Sequence, residues 1–213
     1  MPDAGRAAVM IFVEDGLATL ATPDAVELEP RDSVDLTRAY SHAKLLAGSG
    51  EALPGDVASG LDRAEIALAA ELTGLAQRAL DMTVAYVRDR TQFGHPIGAF
   101  QAVSHRCAEM LALTEAARSA TYFAAWTADV EPERLPVAAS MAKASAADAA
   151  RRGASIAIQA HGGIGFTWEA DLHWIFKRAY ANAAQLGDAD EHRRRIARLA
   201  ADRIRGGAQG VIA

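Results

Sequence analysis

The 213-residue chain is 51% hydrophobic and 23% charged, with 17 glycines and 7 prolines, the composition of a globular protein able to bury a substantial core. Its formal net charge of −5 gives no electrostatic case for nucleic acid or a membrane surface as partner, and its single cysteine, Cys107, excludes an internal disulfide. The chain shows no apolar run of transmembrane length and no charged-then-apolar leader, so the expected location is the cytoplasm.

Residues 1–50 carry short β-rich runs over 8–13, 17–20 and 25–29, separated by Glu14-Asp15-Gly16 and Thr22-Pro23-Asp24. That spacing predicts three or four strands joined by tight turns. Without a helix of their own such strands close no core easily, so they read as a piece of a sheet. Ser49-Gly50 and Pro54-Gly55 punctuate the change to helix. The expected division is a partial β-domain over residues 1–52 and a helical bundle domain over 53–213.

From Asp62 the apolar period becomes helical. Leu68, Leu72, Leu75, Ala79, Met82 and Tyr86 step by four and three, predicting a helix that runs to Arg90. After the turn Gly94–Gly98 a second stripe follows: Val103, Cys107, Met110, Thr114, Ala117, Thr121 and Ala124. Cys107 on that stripe reads as core packing rather than as a nucleophile. Glu131–Pro136 breaks the chain, with Pro136 well placed near a helix start. An alanine-rich third helix is expected over about 136–160, a fourth over 169–186 and a fifth over 189–205, ended by Gly206-Gly207. Arg193-Arg194-Arg195 reads as a solvated face of that last helix. Long helices joined by short turns pack antiparallel, so the fold class is mainly α: a long-helix antiparallel bundle preceded by a few strands of an incomplete β-domain.

Two turns stand out. The run from Gln159 through His161, Gly162, Gly163, Ile164 and Gly165 to Glu169 places three glycines in four positions between two long helices. Glycines this close let a backbone approach a ligand or take positive φ, and a following helix start offers N–H groups to an anion. Glycine also closes helices for structural reasons alone. The other turn spans Arg90 to Gln101. Arg90 suits the C-terminal dipole of the first helix; with Gln92, Phe93 and Gly94 it also makes an anion clamp beside a flat aromatic surface. Phe93 and Phe100 are large apolar groups in a turn and need a partner, whether the bundle, a ligand or a neighbouring chain. Trp168 and Trp174 flank a helix start and read as packing or interface anchors. His42, His95, His105, His161, His173 and His192 show no metal-ligand spacing, so no metal is expected.

A long helix ending in Arg-Thr-Gln-Phe-Gly at 90–94, then Pro-Ile-Gly-Ala-Phe-Gln at 96–101, then Gln-Ala-His-Gly-Gly-Ile-Gly-Phe-Thr at 159–167, resembles the C-terminal helical domain of acyl-CoA dehydrogenases over roughly residues 58–205. Residues 1–50, with Glu27-Leu28-Glu29-Pro30 and the segment from Ser33 to Arg38, resemble the later strands of that family's middle β-domain. The resemblance implies flavin-dependent oxidation of an acyl-CoA thioester, in which a carboxylate base removes the α-proton and the β-hydrogen leaves as hydride to the flavin. It implies FAD shared across a subunit interface. Arg90, Gln92 and Phe93 from one turn, and Gln159, Gly162 and Gly163 from the other, match positions that contact the FAD of a neighbouring subunit.

The chain departs from the family at the base. In most members it is a glutamate just before the glycine matching Gly187; in a minority it lies on the first long helix at the position matching Ala64. Leu186 and Ala64 occupy those places, and neither accepts a proton. Asp188 is the alternative acid, if the loop bends back. Glu65 points about 100° away from Ala64, and Glu71 shares its face but sits about 10 Å further along, where it reads as a solvated or interhelical contact. Glu65 stands where the family usually has an arginine near the CoA-binding region, and Asp62 matches an aspartate of that region. The family's N-terminal helical domain and early middle-domain strands have no counterpart in the sequence. The expected function is therefore an acyl-CoA dehydrogenase-family subunit that donates FAD-binding residues in trans. It would act in a homo- or hetero-oligomer with a catalytic acyl-CoA dehydrogenase-like subunit, on that assembly's acyl-CoA substrate. The alternatives are an active enzyme using Asp188, and a non-enzymatic helical interaction module.

Overall fold

The computed structural model describes residues 1–209; residues 210–213, the tail of the expected helical domain, lie outside the described residues. Contacts divide the chain into one unit over Met1–Leu61 and a second beginning at Asp62.

In the first unit β1 (Met10–Glu14), β2 (Leu17–Ala21) and β5 (Glu51–Leu53) form an antiparallel sheet in the order β1-β2-β5, and β3 (Val26–Arg31) pairs antiparallel with β4 (Tyr40–Leu45). The first hairpin sets Glu14 opposite Leu17 across Asp15 at φ 49° and Gly16 at φ 78°. Two residues in the left-handed region give the turn whose twist matches the flanking strands, and Asp-Gly is suited to it. The first three strands follow the predicted runs; β4 and β5 do not follow from the sequence, because Tyr-Ser-His-Ala-Lys-Leu carries no β-branched residue and β5 is only 3 residues long. Met10, Ala21 and Val26 form a small core with Phe12, Leu28 and Leu45 packed against it. The other face of β1 leaves Val9, Ile11 and Val13 bare, at 51%, 51% and 43% exposure.

The second unit contains α1 (Val57–Asp89, which starts within the first), α2 (Gln101–Val130), α3 (Leu135–His161), α4 (Leu172–Ala184) and α5 (Ala189–Gln209). Helix α3 packs against α2, α4 and α5. Its Ala139, Ala142, Ala146, Ala154 and Ala157 are fully buried, and side chains this small let neighbouring helices approach closely. The buried face of α1 includes the predicted Leu68, Leu72 and Ala79 but is broader, adding Ala69, Ala76, Leu80 and Val87. Thr73, Thr83, Thr114, Thr121 and Thr127 enter the interior because each hydroxyl donates to the carbonyl four residues earlier.

The helix ends differ from expectation at three places. Helix α1 starts at Val57, ahead of Asp62. Gly162–Phe166 forms a 3-10 turn, so α4 begins at Leu172 rather than at 169. The backbone of α5 runs through Gly206-Gly207 to Gln209, since glycine costs roughly 1 kcal/mol against alanine in a helix without barring helical dihedrals. Cys107 is half-buried, and burial pushes its thiol up. Among the described residues no helix is long and apolar enough to cross a membrane, and no cluster of His, Cys, Asp and Glu is placed to hold a metal.

Candidate functional site

The two sequence-predicted turns meet at one end of the bundle. Helix α1 ends as Arg90 N–H donates to Tyr86 O at 2.9 Å, and the chain turns back through β6 (Thr91–Gln92) and β7 (His95–Pro96). Phe93 at φ 53° and Gly94 at φ 80° form the tip. Gly98 lies so close to α1 that a Cβ there would sit 3.1 Å from Val87 O, which fixes the hairpin against the helix. The last turn of α3 is tied to the same place: the Tyr86 ring stacks on His161 at 4.2 Å and 19°, and its hydroxyl donates to His161 O at 3.4 Å.

Arg90, Gln92, Phe93, Gln159, Gly162 and Gly163 are all exposed. Arg90 and Gln159 make no side-chain hydrogen bond or ion pair among the described residues; Gln92 donates only to Thr91 O, at 3.1 Å. Phe93 is 90% exposed, its ring meeting Phe100 edge-on at 6.3 Å. The glycine run separates into three roles. Gly162 at φ 63° closes α3, Gly165 has no room for a side chain because a Cβ would lie 2.8 Å from Ile158 O, and Gly163 faces open space. Beside them a groove of about 400 Å³ runs between α2 and α3, lined by Ala102, Val103, Arg106, Arg152, Ile156 and Gln159. Glu109 bridges its two arginines at 2.8 Å and 3.0 Å, and Arg152 first, then Arg106, hold the Glu109 carboxyl below its usual range. Just beyond the glycines, Trp168 is 69% exposed, with the Lys177 ammonium 4.5 Å over its ring and 5.0 Å over that of Trp174.

The positions read as lacking a base lie elsewhere. Leu186, at φ 55° and 45% exposed, and Gly187, at φ 94°, form the turn between α4 and α5. His192 Nε2 lies 2.9 Å from Leu186 O, and His192 Nδ1 lies 3.9 Å from Glu65 Oε2 on α1, next to the exposed Ala64. Glu65 and Tyr86 are therefore roughly 30 Å apart along one helix axis. Asp188 closes a capping box: its Oδ1 accepts from Glu191 N–H at 2.8 Å, and Glu191 Oε2 accepts from Asp188 N–H at 2.8 Å. The Glu191 amide holds the Asp188 carboxyl below its usual range.

Asp62 and Glu65 are buried and paired with Arg195, whose Nη2 donates to Asp62 at 2.6 Å and whose Nη1 donates to Glu65 at 3.0 Å and to Ser140 at 3.2 Å. Arg195 thus turns inward, against the reading of 193–195 as one solvated face; Arg193 and Arg194 remain exposed. Glu71 makes the interhelical contact, accepting from Arg178 at 2.8 Å. Lys143, fully buried, donates to Ala183 O at 3.0 Å and Gly187 O at 2.8 Å. Sequence reasoning passed over Lys143; its only signal is a lone cation inside an alanine-rich stripe. Burial pushes Glu65 up to about 7 and Lys143 down to about 8, and it lowers His192.

With this geometry in place, residues 56–201 match the acyl-CoA dehydrogenase C-terminal domain. The chain is 38% identical over 192 residues to acyl-CoA dehydrogenase IpdE2 of Mycolicibacterium smegmatis, covering 90% of this chain and 58% of that protein. Its fold is similar to that of a Tcur3481-Tcur3483 steroid ACAD variant, with TM-score 0.88 and 29% identity over 97% of this chain and 58% of the other. It is also similar to the ChsE4-ChsE5 complex from Mycobacterium tuberculosis, with TM-score 0.80 and 27% identity over 91% of this chain and 55% of that chain. The chain belongs to the acyl-CoA dehydrogenase family of FAD-dependent oxidoreductases. It spans 58% of the length of IpdE2.

Proposed function

We propose that this chain is a cofactor-holding subunit of an acyl-CoA dehydrogenase assembly, and that it completes the FAD site of another subunit rather than carrying a base of its own. The observation that carries this reading is the separation of its two ends. Among the described residues Arg90 and Gln159 stand exposed with no side-chain partner, roughly 30 Å from the turn that holds Leu186, where the family resemblance leads one to expect a carboxylate. One end has residues available for a ligand; at the other the exposed carboxylate of the turn, Asp188, is engaged in a capping box.

The residues present fit a dinucleotide. Arg90 is an unpaired guanidinium suited to a pyrophosphate, Gln92 and Gln159 offer amide donors and acceptors, and Gly162 and Gly163 permit close backbone approach. Phe93 offers a flat apolar face. FAD, when bound, supplies the acceptor for a hydride. The chain's part is to hold and orient it; removal of the α-proton falls to a carboxylate of the partner. Asp188 is a poor substitute, because its carboxylate is engaged at the start of α5 and kept weakly basic. In the same reading residues 1–52 are the end of a β-domain whose remaining strands would cover Val9, Ile11 and Val13, and residues 53–213 are the helical domain. Similarity to two-component relatives such as the ChsE4-ChsE5 complex supports an unlike partner.

The test is co-purification with an acyl-CoA dehydrogenase-like chain that keeps its glutamate. Flavin absorbance and acyl-CoA dehydrogenase activity are expected to need both chains, and Arg90→Ala is expected to weaken flavin retention about ten- to a hundredfold. Flavin content and activity that never depend on this chain would sink the reading.

A further inference from the structure

The α4–α5 turn is held from inside by groups that the flavin reading does not use. Five residues, Ala183, Leu186 and Gly187 through their carbonyls and Asp62 and Glu65 through their carboxylates, face three donors: Lys143, His192 and Arg195. Lys143 on α3 binds the carbonyls of Ala183 and Gly187, and His192 on α5 binds that of Leu186. A carbonyl only accepts, so His192 Nε2 carries the ring proton. Its Nδ1 is then a bare lone pair. It is buried, has no hydrogen-bond partner, and lies 3.9 Å from Glu65 Oε2.

With Glu65 ionised, two acceptors face each other across that gap, and one proton added to either makes them a donor and an acceptor. The surroundings fix how many protons fit. From α1 the site is faced by Asp62 and Glu65, from α3 by Lys143, and from α5 by Arg195, with Asp188 and Glu191 at the rim. The buried Lys143 and the half-buried Arg195 balance the two buried carboxylates when His192 is neutral. One further proton is tolerated because the rim acids offset it, and Gly187 allows the close fit: a Cβ there would lie 3.2 Å from His192 Nε2. Leu186 sits in the left-handed region at a steric cost, which the grip on the turn's carbonyls helps to offset.

We propose that Glu65 and His192 share one exchangeable proton, and that this proton latches the Leu186–Gly187 turn and the start of α5 onto α1. The latch is closed when the proton is present and loosened when it leaves. Burial raises Glu65 and lowers His192, so the proton resides mainly on the carboxyl and is lost as pH rises through neutrality. The inference makes no use of flavin and stands or falls apart from the assembly proposed above.

The full chain labelled with nitrogen-15 in its histidine rings provides the test. His192, assigned by the loss of its signals in His192→Gln, is expected as the Nε2–H tautomer at pH 9. As pH falls through neutrality its Nδ1 shift should move, reporting the new hydrogen bond from Glu65, and amide exchange at residues 187–192 should slow beyond the intrinsic pH effect. In Glu65→Gln the neutral-range change should vanish, with His192 protonation delayed by about one to three pH units. Asp190→Asn, on the exposed face of α5, should leave the tautomer and the neutral-range change in place. A proton on Nδ1 at pH 9 in the wild-type chain would overturn the proposal without any variant. So would a neutral-range change that survives intact in Glu65→Gln. If Glu65→Gln does not fold, Glu65→Asp takes its place: its shorter carboxyl should weaken the neutral-range change, and an unaltered change overturns the latch.

Discussion

The two ends of the helical unit treat their polar residues in opposite ways. Around Tyr86 and His161, Arg90 and Gln159 are exposed without a side-chain partner among the described residues, and Phe93 stands 90% exposed on a left-handed turn. Around Leu186, Asp62, Glu65, Lys143 and Arg195 are drawn inside, and each is hydrogen-bonded to another element of the bundle. Buried charges persist only when paired, so the second group is explained by the fold itself. The exposed group is not. The helix dipole accounts for the charge of Arg90 and Phe100 touches one edge of Phe93, but among the described residues neither Arg90 nor Gln159 has a side-chain partner, and this is why the ligand reading rests on that end. The Asp62 and Glu65 side chains, at positions that the family resemblance places near a CoA region, are both paired with Arg195 of α5.

The comparison predicts the largest loss of stability at Lys143. Lys143→Met fills a similar volume but leaves Ala183 O and Gly187 O without this donor and removes the one fully buried cation, among the described residues, beside two carboxylates. Breaking one member of a buried ionic network costs about 3–5 kcal/mol. Urea unfolding at pH 7 measures it. A loss below about 1 kcal/mol would mean that this end is not the satisfied network described, and the contrast between the ends would collapse.

Glu65 sharpens the same contrast through its pH dependence, which runs opposite to that of an ordinary paired carboxylate. Its folded-state value is raised from 4.5 to about 7. Between those values the folded chain holds a proton that the unfolded chain has released, so the contribution of Glu65 to stability falls as pH rises through that window. Glutamine cannot titrate. Glu65→Gln should therefore gain on the wild type between about pH 4.5 and pH 7, by up to about 3 kcal/mol. His192, held below its usual range, favours the folded state as pH rises, and because Glu65→Gln also delays its protonation, the difference reports Glu65 together with its coupling to His192. Unfolding free energies at pH 5 and pH 8 decide it; a variant that loses ground at pH 8 would show that the Arg195 pairing outweighs burial.

What the sequence disclosed follows the same division. Helical period, capping and turn chemistry are local, so the order of the helices, the Asp15-Gly16 hairpin and the Arg90 and Gln159 turns were legible. The family resemblance added roles for turn residues that spacing alone left open. The inner network was not legible, because Lys143, Arg195 and His192 meet Glu65 only through packing of α3 and α5 against α1. Arg195 sits in a run of three arginines, and no periodicity distinguishes the one that turns inward. Strand β4 was hidden for a related reason: its pairing with β3 is supplied by a partner, not by its own β propensity. The glycine run was read as one feature and divides into three.

That division allows the smallest effects to be separated within a few residues. At Gly165 an alanine Cβ would meet Ile158 O at 2.8 Å, a backbone atom that cannot swing aside. Gly165→Ala should cost about 1–3 kcal/mol by forcing the 3-10 turn away from α3. At Gly163 the same methyl meets nothing within 4 Å, and the residue does not use a positive φ. Gly163→Ala should therefore leave stability within about 0.5 kcal/mol of the wild type. If the backbone at Gly163 approaches a dinucleotide, that harmless methyl nonetheless blocks it, and flavin retention in the assembled protein should fall while the melting temperature of the chain stays put. Thermal unfolding and flavin absorbance, measured side by side on the two variants, distinguish a glycine kept for the helix from one kept for a ligand. Equal flavin retention in Gly163→Ala and the wild type would return Gly163 to an ordinary turn residue and leave Arg90 and Gln159 to carry the exposed end alone.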